Sequence, residues 1–440
     1  MGQILSTVNQ DDLTTETATV ALDGSIYNWQ ELAPGAQTPR EAVLRAFQEK
    51  GPDFVRDIDG PFAVAISTPE GLFIARDLVG ITPLYHGTCD GVPCFASEIK
   101  ALIDWADDIE AFPPGHYGVS GSEPVPFASL ETKTPLDKTP EEIASELHDL
   151  LTDAVRKRVA DCDAGCWLSG GLDSSVLTTL ASREIPNMKT FAVGVEGAPD
   201  LEHARMVADF VGTDHHELVC TVNDMARALP EVIYHLESFD APLVRSSLTN
   251  YMVGKLSSEH VDVVLSGEGA DELFAGYEYL KSMKPSELPV ELVEITSSLH
   301  NTALQRVDRC SSAQGLVARM GFLDRDVVDY ALRIPTEYKI YTNGGVVEKW
   351  ILRRAVDGLL PEEVIERRKA KFWEGAGVTD LLAERAEEVV SDSDFAKERI
   401  LPDGSELRNK EELLYYRIFS ECFGDLQDIS FVGRTKEFSG

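Results

Sequence analysis

Residues 166–183 read CWLSGGLDSSVLTTLASR: a short apolar run, a glycine–serine turn, then a helical pattern. Gly170 and Gly171 allow backbone angles and close approaches denied to other residues. The N–H groups of the turn, with the N-terminus of the helix expected to open near Ser174, make an anion site. Ser169, Ser174 and Ser175 add hydroxyl donors, so the turn is suited to phosphates. It is not a Walker loop, because GxxxxGK followed by Ser or Thr occurs nowhere in the chain. Asp173 stands where such a loop more often has a lysine. A carboxylate beside phosphates repels them unless a divalent cation lies between, and Mg²⁺ favours oxygen ligands. Asp173 is therefore expected to bind metal; the plainer reading is an acidic residue near the positive end of a helix.

A second turn repeats the construction. In VDVVLSGEGADELFAGY, residues 261–277, an apolar strand runs into Ser266-Gly267, then Glu268, Asp271 and Glu272 near a helix start. Parallel strands ending on one edge would bring the two turns together, where α/β sheets bind ligands. Asp271 would share the cation with Asp173, and Glu268 would hold the substrate or act as a base. Around both turns strand-like runs (AGCWLSG, KTFAVGV, HHELVCTV, VDVVLSG) alternate with helical ones such as LEHARMVADFVG. That alternation predicts an α/β domain with a parallel sheet covered by helices.

The front of the chain differs. PFAVAIS and GLFIARD are short apolar strands joined by TPEG, a hairpin signal, and PREAVLRAFQEK spaces its apolar residues helically behind Pro39. This predicts a smaller α+β domain over residues 1–120. Residues 121–138, rich in Ser, Pro and Thr, are expected to be a linker. Thr139, Pro140 and Glu142 then form a helix start with a capping box, opening a domain that runs to 424, with a loose tail over 425–440.

The formal charge of −35 over 440 residues excludes a phosphate-backbone partner, which demands excess Lys and Arg, and fits a chain adapted to high salt. No apolar run reaches the ~18 residues of a membrane span. The first residues lack the basic and apolar regions of a secretory leader, so the expected location is cytoplasmic. The seven cysteines form no CxxC pair and read as reduced thiols, without zinc. His215 and His216 do not fit HExxH and read as structural.

SGGLDSS resembles the PP-loop of ATP pyrophosphatases. With SGEGADELFAGY, GFLD and RRKAKF the resemblance narrows to asparagine synthetases of the glutamine-using type, from about residue 20 to the low 420s. DGSIYN, IDGPFAVAI, ARDLVGITPLYHG and FASEIKAL resemble that family's glutaminase domain. The resemblance implies ATP and Mg²⁺ as cofactors, with aspartate and ammonia as the other substrates. An acyl-adenylate and pyrophosphate would form first, and ammonia would then displace AMP. Carried over by motif, Leu168, Val193, Ser266 and Gly267 would touch ATP, and Ser169, Gly170, Gly171, Ser174 and Ser175 would hold pyrophosphate. Asp173 and Asp271 would bind Mg²⁺, Glu268 would sit at the acyl centre with Asp324 close by, and Lys369 would face the phosphates. Arg245 would orient a carboxylate by a forked contact. Lys349 also matches a family lysine.

The departures are as informative. Residue 2 is Gly2, where the family has its nucleophilic cysteine, the early segment of that domain is expected to be missing, and Asp23 replaces an asparagine. The front domain is thus expected to be truncated and without glutamine hydrolysis, nitrogen coming from free ammonia or a partner glutaminase. Pro242 and Leu243 replace two threonines, and Gly321 a proline, which leaves the acceptor acid open. A β-lactam-synthetase-like ligase, or a non-catalytic nucleotide-binding subunit, are the alternatives; a homodimer is a further expectation.

Overall fold

The computed structural model describes the chain apart from residues 1–12, 15–17, 70, 120–121, 161, 343–344, 368–378, 425, 427 and 436–440. Two compact units emerge: residues 1–130 with 297–305 and 429–431, and residues 131–296 with 306–428 and 432–440.

The first unit is built on strands. β1 (Leu13–Thr14), β2 (Thr19–Gly24), β3 (Phe62–Thr68) and β4 (Gly71–Arg76) form an antiparallel sheet. β5 (Tyr85–Cys89), β6 (Val92–Ala96) and β7 (Asp107–Ala111) make a second, three-stranded sheet. β8 (His116–Val119) and β9 (Val125–Pro126) then extend the first sheet beyond β4. The hairpin expected from PFAVAIS and GLFIARD is β3–β4, paired Ala63 to Arg76 through Thr68 to Gly71. The helix Pro39–Lys50 starts as its sequence predicts, with Thr38 accepting from Glu41 N and Pro39 in the first turn. It lays Val43, Leu44 and Ala46 on a core with Phe54, Phe62 and Phe73. The segment read as a linker is partly structured: β9 pairs with β8, and Phe127 stacks on Phe62 at 6.3 Å. Its lack of periodicity hid a two-residue edge strand, too short to alternate visibly.

The second unit holds a five-stranded sheet in the order β12-β11-β10-β13-β14. Its strands are β10 (Ala164–Trp167), β11 (Lys189–Gly194), β12 (Asp214–Val219), β13 (Val263–Ser266) and β14 (Val317–Met320), every pairing parallel. From β10 the chain winds outward on one side through β11 and β12, then returns to lay β13 on the other side. The carboxyl ends of β10 and β13 thus flank the point where strand order reverses, the usual crevice for ligands in open α/β sheets. The helix Leu172–Ala181 backs this crevice with Val176, Leu177 and Leu180 almost wholly buried. Burial of each such side chain is worth about 1.5–3 kcal/mol. The helix Pro140–Val159 begins with the expected capping box between Thr139 and Glu142.

The expected loose tail needs correction. Thr435 N donates to Asp240 at 3.1 Å, Thr435 O accepts from Arg408 at 2.9 Å, and Arg434 pairs with Glu412 at 2.7 Å. The Asp240 and Glu412 side chains are fully buried. No periodic signal marks the segment because scattered contacts hold it: the polar ones above and the isolated buried side chains of Ile429 and Val432.

Candidate active site

At the end of β10, Leu168 N donates to Phe191 O at 2.8 Å, continuing the sheet by one residue before the turn leaves it. Gly170 adopts φ 68°, and a Cβ there would overlap the backbone of His203 and Ala204, so the turn lies flat against the helix Pro199–Val211. The following helix begins at Leu172, earlier than the expected Ser174, with Gly171 as its N-cap and no side-chain cap. Its first-turn N–H groups are therefore not satisfied by a capping side chain. The hydroxyls bond within the turn: Ser169 Oγ lies 3.2 Å from Ser174 Oγ, and Ser175 Oγ donates to Gly171 O at 2.7 Å.

The second turn abuts the first. A Cβ on Gly267 would stand 3.2 Å from Asp173 Cβ and 3.3 Å from Ser174 N. Asp173 and Asp271 converge on one cation, the ammonium of Lys349. Its Nζ lies 2.8 and 2.6 Å from the two oxygens of Asp173 and 2.5 Å from Asp271 Oδ1. The lysine side chain is 3% exposed. Lys349 reaches this point from a left-handed backbone, φ 53°, at the start of the helix Trp350–Ala355. Gly276 makes room for the pair, since a Cβ there would overlap Asp271 Oδ1 and Lys349 Cε. Two carboxylates on one ammonium leave a net negative charge, with oxygen the only donor type, which suits Mg²⁺. Such an ion needs just one or two carboxylates when phosphates complete its shell. Among the described residues no group of three or more His, Cys, Asp or Glu stands ready to hold a metal.

Residues 146–292 and 282–439 match the family model for asparagine synthase, and residues 8–117 that for the glutamine amidotransferase domain. The chain belongs to the asparagine synthase family. It is 36% identical over 446 residues to the glutamine-hydrolysing asparagine synthetase 3 of Arabidopsis thaliana, covering 93% of this chain and 76% of that one. Against the glutamine-hydrolysing asparagine synthetase of Sandersonia aurantiaca it is 36% identical over 446 residues, covering 93% and 83%. Against asparagine synthetase B of Escherichia coli it is 36% identical over 440 residues, covering 93% and 79%.

The other residues that the asparagine synthase resemblance nominated divide in two. Leu168, Val193, Ser266 and Gly267 lie at the ends of β10, β11 and β13, with Leu168, Val193 and Ser266 buried. Glu268 receives a hydrogen bond from Ser266 Oγ and pairs with Arg306 at 2.7 Å. Arg245 does make a forked contact, but with Glu411: Nε donates to Oε1 at 2.8 Å, Nη2 donates to Oε2, and Tyr415 Oη adds a bond to Oε1 at 2.7 Å. The partner expected from substrate is here supplied by the protein. Asp324, expected close to the acyl centre, is likewise held by the protein. It caps the helix Arg325–Leu332 and is 2% exposed, with Arg158 at 2.8 Å and Lys157 at 3.3 Å. Burial pushes its carboxyl up, but the charge and hydrogen bond of Arg158, then Lys157, outweigh this and hold it below the usual value.

Lys369 lies outside the described residues. Its neighbour Arg367 donates to Ser169 O at 3.3 Å and pairs with Asp200 at 2.6 Å, so the described end of the basic run reaches the first turn. Arg306, Gly276 and Glu411 were not singled out from sequence. Gly276 carried a signal, a glycine just after an acidic turn, whereas Arg306 is a lone arginine in a helical pattern and carried none. His215 Nδ1 is 2.9 Å from Thr190 Oγ1, and His216 stacks on Phe191 at 5.5 Å with His260 tilted against it at 4.1 Å.

Proposed function

We propose that the chain is an ATP-dependent, AMP-forming carbon–nitrogen ligase that adenylates a carboxylate, aspartate first among candidates, and passes the acyl group to ammonia. The observation that carries this reading is the convergence of Asp173 and Asp271, from two matched turns at the switch point, on the ammonium of Lys349. A carboxylate oxygen of the acid attacks the α-phosphorus of ATP, and the bond to pyrophosphate breaks with its electron pair leaving on pyrophosphate. Ammonia then attacks the acyl carbon, AMP departs with the electrons of the C–O bond, and a proton is lost from nitrogen.

The chain's residues stabilise the charge that develops on the leaving group, the usual source of catalysis in phosphoryl and nucleotidyl transfer. Asp173 and Asp271 would hold Mg²⁺, which would supply positive charge to the phosphates. Lys349, with three donors and no acceptor, would turn from the carboxylates to phosphate oxygens. The N–H groups after Gly171 would receive pyrophosphate at the helix N-terminus.

Free ammonia is proposed as the nitrogen source. Asp23, in place of the family's asparagine, accepts from Ser97 Oγ at 2.7 Å, and an ionised carboxylate offers no donor where an amide would. The test follows labelled ATP with Mg²⁺, aspartate and ammonium. Pyrophosphate and AMP are expected, and ADP would refute the reaction class. Asparagine yield with glutamine in place of ammonium should fall to background; equal yield would overturn the nitrogen assignment.

A further inference from the structure

Near the two turns, Arg306 is an arginine whose donors the fold leaves incompletely used. Nη2 donates to Glu268 at 2.7 Å, while Nε is buried and has no hydrogen-bond partner. The side chain is 12% exposed and that of Glu268, which belongs to the second turn, is 14%, so the pair is mostly shielded from water. A buried donor without a partner is costly, so such groups point to an acceptor that arrives from outside the chain. A guanidinium edge accommodates a carboxylate with two parallel N–H bonds. Arg245 is not open in this way, because Nε and Nη2 of its fork are taken up by Glu411. The residues beside Arg306 complete the picture. Its charge reaches Tyr277, whose hydroxyl donates to Glu272, so the arginine lies against the same acidic turn that carries Asp271.

Resting on the ligase reading above, we infer that Arg306 recognises the second carboxylate of the acceptor acid, with Glu268 beside it facing the amino group. An adjacent cation and anion fit the α-amino and α-carboxylate groups of a dicarboxylic amino acid and leave its distal carboxylate to react. Arg306 is thus assigned the choice of acid, the part left open when Pro242 and Leu243 replaced the family's threonines.

Pyrophosphate release is measured with aspartate and with β-alanine, the analogue bearing hydrogen in place of the α-carboxylate. The full-length chain should favour aspartate in kcat/KM by at least ~100-fold, since a site built around a charged contact rejects an analogue lacking it. Arg306→Gln should bring the two acids within about tenfold of each other, mainly through KM for aspartate, with KM for ATP unchanged. Arg306→Lys keeps the charge without the forked edge and should fall between; it supplies the comparison if the glutamine variant does not fold. Both variants losing kcat equally for the two acids, with the ratio intact, would mean that Arg306 only steadies Glu268 and would overturn the inference. Release of pyrophosphate with neither acid by the unaltered chain would instead remove the ligase reading, and the inference with it.

Discussion

Lys349 holds a backbone conformation that a residue with a Cβ adopts at a cost of about 1–2 kcal/mol, and the return is the position of its ammonium. Replacing it with methionine keeps the volume and removes the charge between Asp173 and Asp271. Pyrophosphate release should fall by ~100- to 1,000-fold, the usual effect of deleting one charge-stabilising donor. Unchanged turnover would exclude Lys349 from the chemistry. Asp324 tests the opposite kind of residue. Asp324→Ala leaves Arg158 buried without its anion and should cost about 3–5 kcal/mol of stability, read by denaturant titration. Because the folded carboxyl is held below its ordinary value of 3.8, its stabilisation is complete above that pH and lost as pH falls through the lower folded value. The wild type should therefore lose stability between those two points, and the variant should lack that component. Both carboxylates looked functional in sequence, but only geometry separates them: Asp173 meets a cation in a crevice, whereas Asp324 meets one inside a helix cap.

At the level of elements, the turn after β13 has a fault line that a single methyl exposes. The atoms a Cβ at Gly276 would strike are the ends of the Asp271 and Lys349 side chains, which can swing aside without moving backbone. Gly276→Ala should thus leave the melting temperature nearly unchanged while cutting kcat/KM by ~100-fold, the scale of a misplaced catalytic group. Gly170→Ala should do the reverse in part, lowering stability as well, since backbone of the helix Pro199–Val211 stands in the way. Two such variants that behaved alike would contradict this account. The parallel sheet, both turns and the capping box at Thr139 were legible because each follows from local patterning: apolar runs, glycine pairs, and a Thr followed three residues on by Glu. The edge strand β9 was not, because two residues are too few to show an alternation, and the latch at 432–435 was not, because its partners are distant in sequence. The same holds for Arg306, whose importance lies in which turn it meets.

For the molecule as a whole, the −35 charge sets the dominant long-range term. Self-repulsion among exposed acids is screened over ~10 Å at 0.1 M salt and ~3 Å at 1 M, so compactness should improve as salt rises. The melting temperature should climb steadily in KCl across that range and stay higher in KCl than in an uncharged osmolyte of equal osmolality. A flat profile would show that the acidic surface is well tolerated in dilute buffer. Arg434 and Thr435 also reach back to Asp240 and Glu412, whose side chains are fully buried. Cleaving the backbone ahead of Arg434 would strip two interred anions of some of their partners, so a clipped sample should melt at a lower temperature than an intact one.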